Sequence, residues 1–209
     1  MCVICYKPRG QHLPSDVTIA TMFHRNPDGA GFMWWNENEN AVSWRKGFFT
    51  LDEFMRALQE QNFSRHDMIA LHFRIATSGG INAGRCHPFP VTQNLDYMTS
   101  ARGTDDAVFM HNGVIGAGTA KLSDTMIYIY RHADLIKGIK SNSARRQVEA
   151  DTIGSRTLTF MDGKAFRTGQ WIHDGGRYYS NYSFDNSLNR TYGFNKNARK
   201  ITYRYSSLF

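Results

Sequence analysis

Apolar and polar positions change period several times along this chain, and each change marks an element. Residues 2–6 form a short apolar run that reads as a strand beginning almost at the amino terminus. Ser15 is placed to cap a helix reaching about His24, and Asn26-Pro27 ends it, because the residue before a proline is pushed out of the helical region. Residues 31–35 and 41–46 flank the polar run Asn36-Glu-Asn-Glu-Asn40 and read as a β-hairpin. Thr50-Leu-Asp-Glu53 is a capping box, after which Leu51, Phe54, Met55 and Leu58 recur at helical spacing. Residues 68–73 read as a buried strand running into a Ser/Gly-rich loop at 78–84. Residues 107–111 are another strand, stopped by Asn112-Gly113. Ser123 caps a helix carrying Met126, Ile127, Tyr130, Ala133 and Leu135. The period then returns to two over 152–161, the turn Asp162-Gly163 and 164–168, with further strands near Trp171 and Tyr178. This order predicts an α+β protein of stacked layers.

The chain has 209 residues, without repeats or low-complexity linkers, so a single continuous domain over 1–209 is expected. No run approaches the 18 or so apolar residues of a membrane span, and no basic segment precedes an apolar one at the start. Three cysteines are too few for a secreted disulfide scaffold, which makes the cytoplasm the expected location. The charge is unusual: 25 basic against 18 acidic residues, net +7, with most of the excess in the last third. From about 189 to 209, Arg190, Lys196, Arg199, Lys200 and Arg204 interleave with Tyr192, Phe194, Tyr203 and Tyr205, and no acid is present. Such a mixture suits either a solvated outer strand and tail or a nucleic-acid contact.

Cys2 stands out by position. Once the initiator Met is removed, a small second residue becomes the amino terminus and carries a thiol and a free α-amine together. That amine titrates near 8, so one residue supplies nucleophile and base. Four further segments accompany it: His72-Phe-Arg-Ile-Ala-Thr-Ser-Gly79, His111-Asn-Gly113, Ser123-Asp-Thr125 and the tight turn Asn26-Pro-Asp-Gly-Ala-Gly31.

In this order the set resembles the class II glutamine amidotransferases, N-terminal-nucleophile (Ntn) hydrolases that begin with Cys and carry H-x-R-x-A-T, H-N-G and S-D-T motifs. Cys86-His-Pro-Phe89 is similar to the family's His-Pro segment. The resemblance covers Cys2 to Asp124 and implies a four-layer α-β-β-α sandwich. It implies that Cys2 attacks the side-chain amide of L-glutamine, with the Asn112 amide and Gly113 N–H as the oxyanion hole. Arg74 would clamp the substrate α-carboxylate, Asp124 its α-ammonium, and Thr77, Ser78 and His87 would line the substrate site. It calls for no cofactor and no metal. Ser78 stands where many relatives carry His, and Ile75 where synthase-type members carry an aromatic. Asp174-Gly-Gly-Arg-Tyr-Tyr-Ser-Asn181 resembles the late Ser-Asn strand of small members.

The leading expectation is therefore a glutaminase that passes ammonia to a separate synthase partner, without a membrane association. The basic third leaves room for a nucleotide or nucleic-acid acceptor. Two other readings compete: a stand-alone γ-glutamyl amide or peptide hydrolase of the same fold, and a non-catalytic nucleic-acid or partner-binding module. A zinc site from Cys2-x-x-Cys5 with Cys86-His87 is disfavoured, since neighbours on an extended strand point to opposite faces. Cys5 reads instead as a small core residue.

Overall fold

The computed structural model describes residues 2–76, 80–119 and 121–187. In chain order the elements are β1 (Val3–Lys7), α1 (Asp16–Arg25), β2 (Ala30–Asn36), β3 (Ala41–Phe48), α2 (Leu51–Gln59), β4 (Ile69–Phe73), β5 (Phe89–Pro90), α3 (Leu95–Met98), β6 (Arg102–Asp105), β7 (Ala107–Asn112), α4 (Asp124–Lys137), α5 (Asn142–Asp151), β8 (Arg156–Met161), β9 (Lys164–Thr168), β10 (Ile172–Asp174) and β11 (Arg177–Tyr179). Thr77, Ser78 and the basic segment from about 189 lie outside the described residues.

Helix starts are set by the residues that the sequence suggests. Ser15 Oγ accepts from Thr18 N, Thr50 Oγ1 from Glu53 N and Ser123 Oγ from Met126 N, each at 3.2 Å. Each cap satisfies one orphan amide and contributes about 1 kcal/mol.

The strands form two antiparallel sheets, one of seven in the order β10-β11-β1-β4-β2-β3-β6 and one of four in the order β5-β7-β8-β9. Alternation decides what each face meets. On β1, Val3 and Cys5 join Leu71, Phe73 and Phe32 under α1 and α2, whose Ile19, Met22, Phe54 and Leu58 complete an outer core. Ile4 and Tyr6 turn the other way and meet Val108, Met110, Leu158 and Phe160 of the smaller sheet. The far face of that sheet, with Phe109 and Phe166, is covered by Met126, Ile129 and Ile136 of α4 and Val148 of α5. Helices, sheet, sheet, helices: the fold is an α+β sandwich of four layers.

The pattern reading needs correction in one place. Residues 152–155 are not strand; they follow α5, and β8 begins at Arg156. Helix α5 escapes periodicity because Val148 is its only buried residue, so it has no apolar stripe. Strand β6 (RGTD) is equally silent in sequence, being a polar edge strand on β3. It is locked where Gly103 lies against the Trp44 ring, 2.5 Å from where a Cβ would sit.

Candidate active site

Three strand ends converge at one mouth of the gap between the sheets. Cys2 precedes β1 with the parity of Ile4 and Tyr6, so its side chain turns inward. On β4 the inward series Ala70, His72 continues to Arg74, and on β7 the series Val108, Met110 continues to Asn112. Register puts the ends of β1 and β4 side by side, Val3 opposite Phe73 and Ile4 opposite His72. Across the gap, His72 Nε2 donates to the His111 carbonyl at 3.2 Å, tying β4 to β7.

The Cys2 thiol is held by one residue. Ile75 N donates to Sγ at 3.3 Å, and the thiol faces the Ile75 carbonyl at 3.5 Å. Burial pushes the thiol pKa up, while the Ile75 amide and the Arg74 charge pull against that shift. The thiol is therefore largely protonated at neutral pH and needs a base to react.

Behind Cys2 sits a clamp from the far end of the described chain. Asn181 Nδ2 donates to the Cys2 carbonyl at 2.6 Å. Ser180 N donates to the Ile4 carbonyl at 3.0 Å, and Ile4 N donates to Ser180 Oγ at 2.8 Å. Asn112 Nδ2 donates to the same Oγ at 2.7 Å, so Ser180 links the start of β1 to the end of β7. Next to Asn112, Gly113 adopts φ +148°, and a Cβ there would lie 2.1 Å from Ser155 Oγ. Only glycine fits this turn. Among the described residues, nothing accepts from the Gly113 N–H.

Arg74 is buried, at 5% exposure. Its Nη1 donates to the Gly80 carbonyl at 3.1 Å, where the chain resumes after the 77–79 segment. The turn ahead of β2 braces its backbone: Arg74 N donates to Gly29 O at 2.8 Å, Asp28 N to Arg74 O at 3.0 Å, and Ala76 N to Asp28 Oδ2 at 2.8 Å. Gly29, at φ +125°, leaves only 2.4 Å between a notional Cβ and Cys86 Sγ, so this turn also carries the 86–87 segment.

Asp124 opens α4, where the helix dipole favours a carboxylate. Its Oδ2 accepts from Ile115 N at 2.9 Å and its Oδ1 from Thr125 N at 2.8 Å, which fixes its orientation. The neighbouring Thr125 Oγ1 lies 3.0 Å from His111 Nδ1. His87 is buried, not exposed at the mouth, and stacks on His72 with centroids 4.2 Å apart. Both His87 ring nitrogens, His72 Nδ1 and His111 Nε2 have no hydrogen-bond partner among the described residues. Burial lowers all three imidazole pKa values, to about 3 for His72, about 4 for His111 and well below the usual value for His87.

Of the residues singled out from sequence, Cys2, Arg74, Asn112 and Gly113 come together at the cleft. Asp124 lies at the α4 start beside β7, and His87 sits behind the cleft on His72. Thr77 and Ser78 fall outside the described residues. Ser180 and Asn181 carry no role in the sequence reading beyond ending a late strand, and only the Ser-Asn pair itself hints at one. Cys5 lies on the opposite face of β1 from Cys2, in the outer core.

No family model matches the sequence, and no curated protein matches it. Among solved structures the fold is similar to the glutamine phosphoribosylpyrophosphate (PRPP) amidotransferase of B. subtilis, solved with ADP and GMP. The two share 15% identity at a TM-score of 0.49, over 86% of this chain and 41% of that one, so the chain spans less than half of that enzyme's length.

Proposed function

We propose that the chain hydrolyses L-glutamine to glutamate and ammonia as a class II amidotransferase glutaminase, with Cys2 as nucleophile. The observation that carries this reading is the placement of Cys2 Sγ at the inter-sheet mouth, on the Ile75 amide, beside Arg74 and the Asn112-Gly113 turn.

Removal of Met1 frees the α-amine of Cys2, which takes the thiol proton as the thiolate attacks the amide carbon. The oxyanion that forms accepts from Gly113 N–H and the Asn112 carboxamide. A turn of that carboxamide lets the Ser180 hydroxyl donate to its Oδ1, which otherwise has no partner, and leaves both Nδ2 protons for the cleft. The protonated amine returns its proton to the leaving nitrogen, and ammonia departs. Water, with the amine again as base, then cleaves the γ-glutamyl thioester. Arg74 grips the α-carboxylate through two parallel N–H bonds, which Lys cannot reproduce, and Asp124 takes the α-ammonium. The ammonia passes to a synthase partner. Among the described residues, no helix is long and apolar enough to cross a membrane.

The direct test combines intact mass with labelling. Active protein lacks Met1, and a glutamine-mimicking diazo-ketone modifies Cys2 but neither Cys5 nor Cys86. A label on Cys86, or full activity with Met1 retained, overturns the proposal.

Two variants separate binding from chemistry. Arg74→Lys raises KM for glutamine about tenfold or more with a smaller change in kcat, because a carboxylate clamp acts in ground and transition states alike. Asn112→Ala does the opposite: kcat falls by about 10²–10³ while KM stays near wild type. Steady-state ammonia release distinguishes the two patterns. Asn112→Ala activity within about threefold of wild type removes Asn112 from the oxyanion hole.

A further inference from the structure

At the end of β1 remote from Cys2, a cavity of 590 Å³ opens beside Tyr6 and the β8–β9 turn. Four cations from three parts of the chain line it: Arg9 just beyond β1, Arg145 on α5, and Lys164 and Arg167 on β9. Arg9 is engaged, with Nη2 on Glu37 Oε1 at 2.6 Å and Nη1 on the Gly163 carbonyl at 2.8 Å. Asp162, in the adjoining turn, is paired with Lys140. Among the described residues, Arg145, Lys164 and Arg167 have no carboxylate within ion-pairing distance.

The two arginines are set on rings. The Arg167 guanidinium lies 3.5 Å from the Tyr178 centroid and 5.8 Å from that of Tyr6; Arg145 lies 5.4 Å from Phe166. Arg145 Nε is buried and has no hydrogen-bond partner among the described residues. Stacking orients a guanidinium through its faces and leaves its in-plane N–H fork for an acceptor, with less side-chain entropy to lose on binding. Packing like charges around one cavity is unfavourable until an anion enters it.

We propose that this cavity binds a small phosphorylated metabolite bearing more than one anionic group. Forked N–H donors match phosphate oxygens, and the volume lies within the range of small-molecule sites. Pro8, Met68 and Phe166 supply an apolar wall for the rest of the ligand. The site is separate from the Cys2 cleft and independent of the reaction proposed there.

Calorimetry and thermal-shift measurements on the full chain test it, with ATP, tripolyphosphate, AMP and adenosine as probes. ATP and tripolyphosphate bind and raise Tm, AMP binds about tenfold more weakly, and adenosine gives no heat. The double variant Arg145→Gln/Arg167→Gln loses ATP affinity at least about tenfold. Lys164→Glu, at an exposed position where folding is not at issue, loses at least about threefold. Cys2→Ala binds ATP as wild type does. Adenosine binding as well as ATP, wild-type ATP affinity in both variants, or single-stranded RNA outcompeting ATP through these residues would each overturn the proposal.

Discussion

Ammonia release from glutamine falls by about 10⁴-fold or more when Cys2 becomes alanine, with the melting temperature almost unchanged. The size of the loss follows from the proposed chemistry: without the Cys2 thiol the thioester does not form, and the oxyanion hole proposed above leaves by itself only a small residual rate. The mild effect on stability follows from location. Cys2 precedes β1, is half-buried, and its side chain has, among the described residues, only the two hydrogen bonds with Ile75, whereas its carbonyl, kept in the variant, carries the Asn181 bond. Cys2→Ser is the sharper control, since it keeps a nucleophile of similar shape but poorer reactivity. Coupled-enzyme detection of glutamate and ammonia checks both variants, and a Cys2→Ala protein that retains a tenth of wild-type turnover would leave the thiol without a catalytic role.

The second large effect is on stability. His72, His87 and His111 are buried and neutral, with His72 held near 3 and His111 near 4, whereas an unfolded chain takes up protons near 6.5. Unfolding therefore absorbs protons below about pH 6.5, and stability, complete above that value, is lost as the pH falls toward the folded pKa values. A tenfold difference in proton affinity between the folded and unfolded chain corresponds to about 1.4 kcal/mol, so the cluster can remove several kcal/mol, comparable with the total stability of a domain. The Arg74 and Lys46 charges facing His87 act in the same direction. Urea denaturation should give a sharply lower midpoint at pH 5 than at pH 7, a window above most carboxylate titrations. His72→Phe, which keeps a ring against His87, should flatten that dependence by about one proton. Equal midpoints at the two pH values would mean that the cluster is hydrated and titrates normally.

The strands that form the site are legible in the sequence because they are buried on both faces or alternate cleanly: 68–73 and 107–111 can be little else. The turn that ends β7 is legible through Gly113, and the end of α1 through Asn26-Pro27, where local backbone chemistry leaves few choices. What holds Cys2 is not legible. Its amide partner, Ile75, is 73 residues away, and its carbonyl partner, Asn181, is 179 residues away. Pairings of that range are decided by sheet order, and no local period encodes that β1 lies between β4 and β11. The environment of His87 escapes the sequence for a related reason. The resemblance sets His87 along the substrate site, yet the glycine at 29 lets the 86–87 segment pack inward against β4. Helix α5 and strand β6 stay hidden because neither presents enough apolar surface to leave a pattern.

The Ser180-Asn181 clamp has a consequence for biosynthesis. Cys2 leaves the ribosome long before two of the groups that fix the backbone around it, which are made almost 180 residues later. Pairing of β1 with β4 already brings Cys2 to Ile75, but until β11 has emerged and paired with β1 the Asn181 bond to the Cys2 carbonyl and the Ser180 link from Ile4 to Asn112 are missing. A nascent chain stalled before Arg177 would carry the thiol but not the Ser180-Asn181 clamp behind it. On the function proposed above, completion of β11 would act as a safety catch: a product cut short of it would hold its nucleophile without the brace that joins the start of β1 to the end of β7.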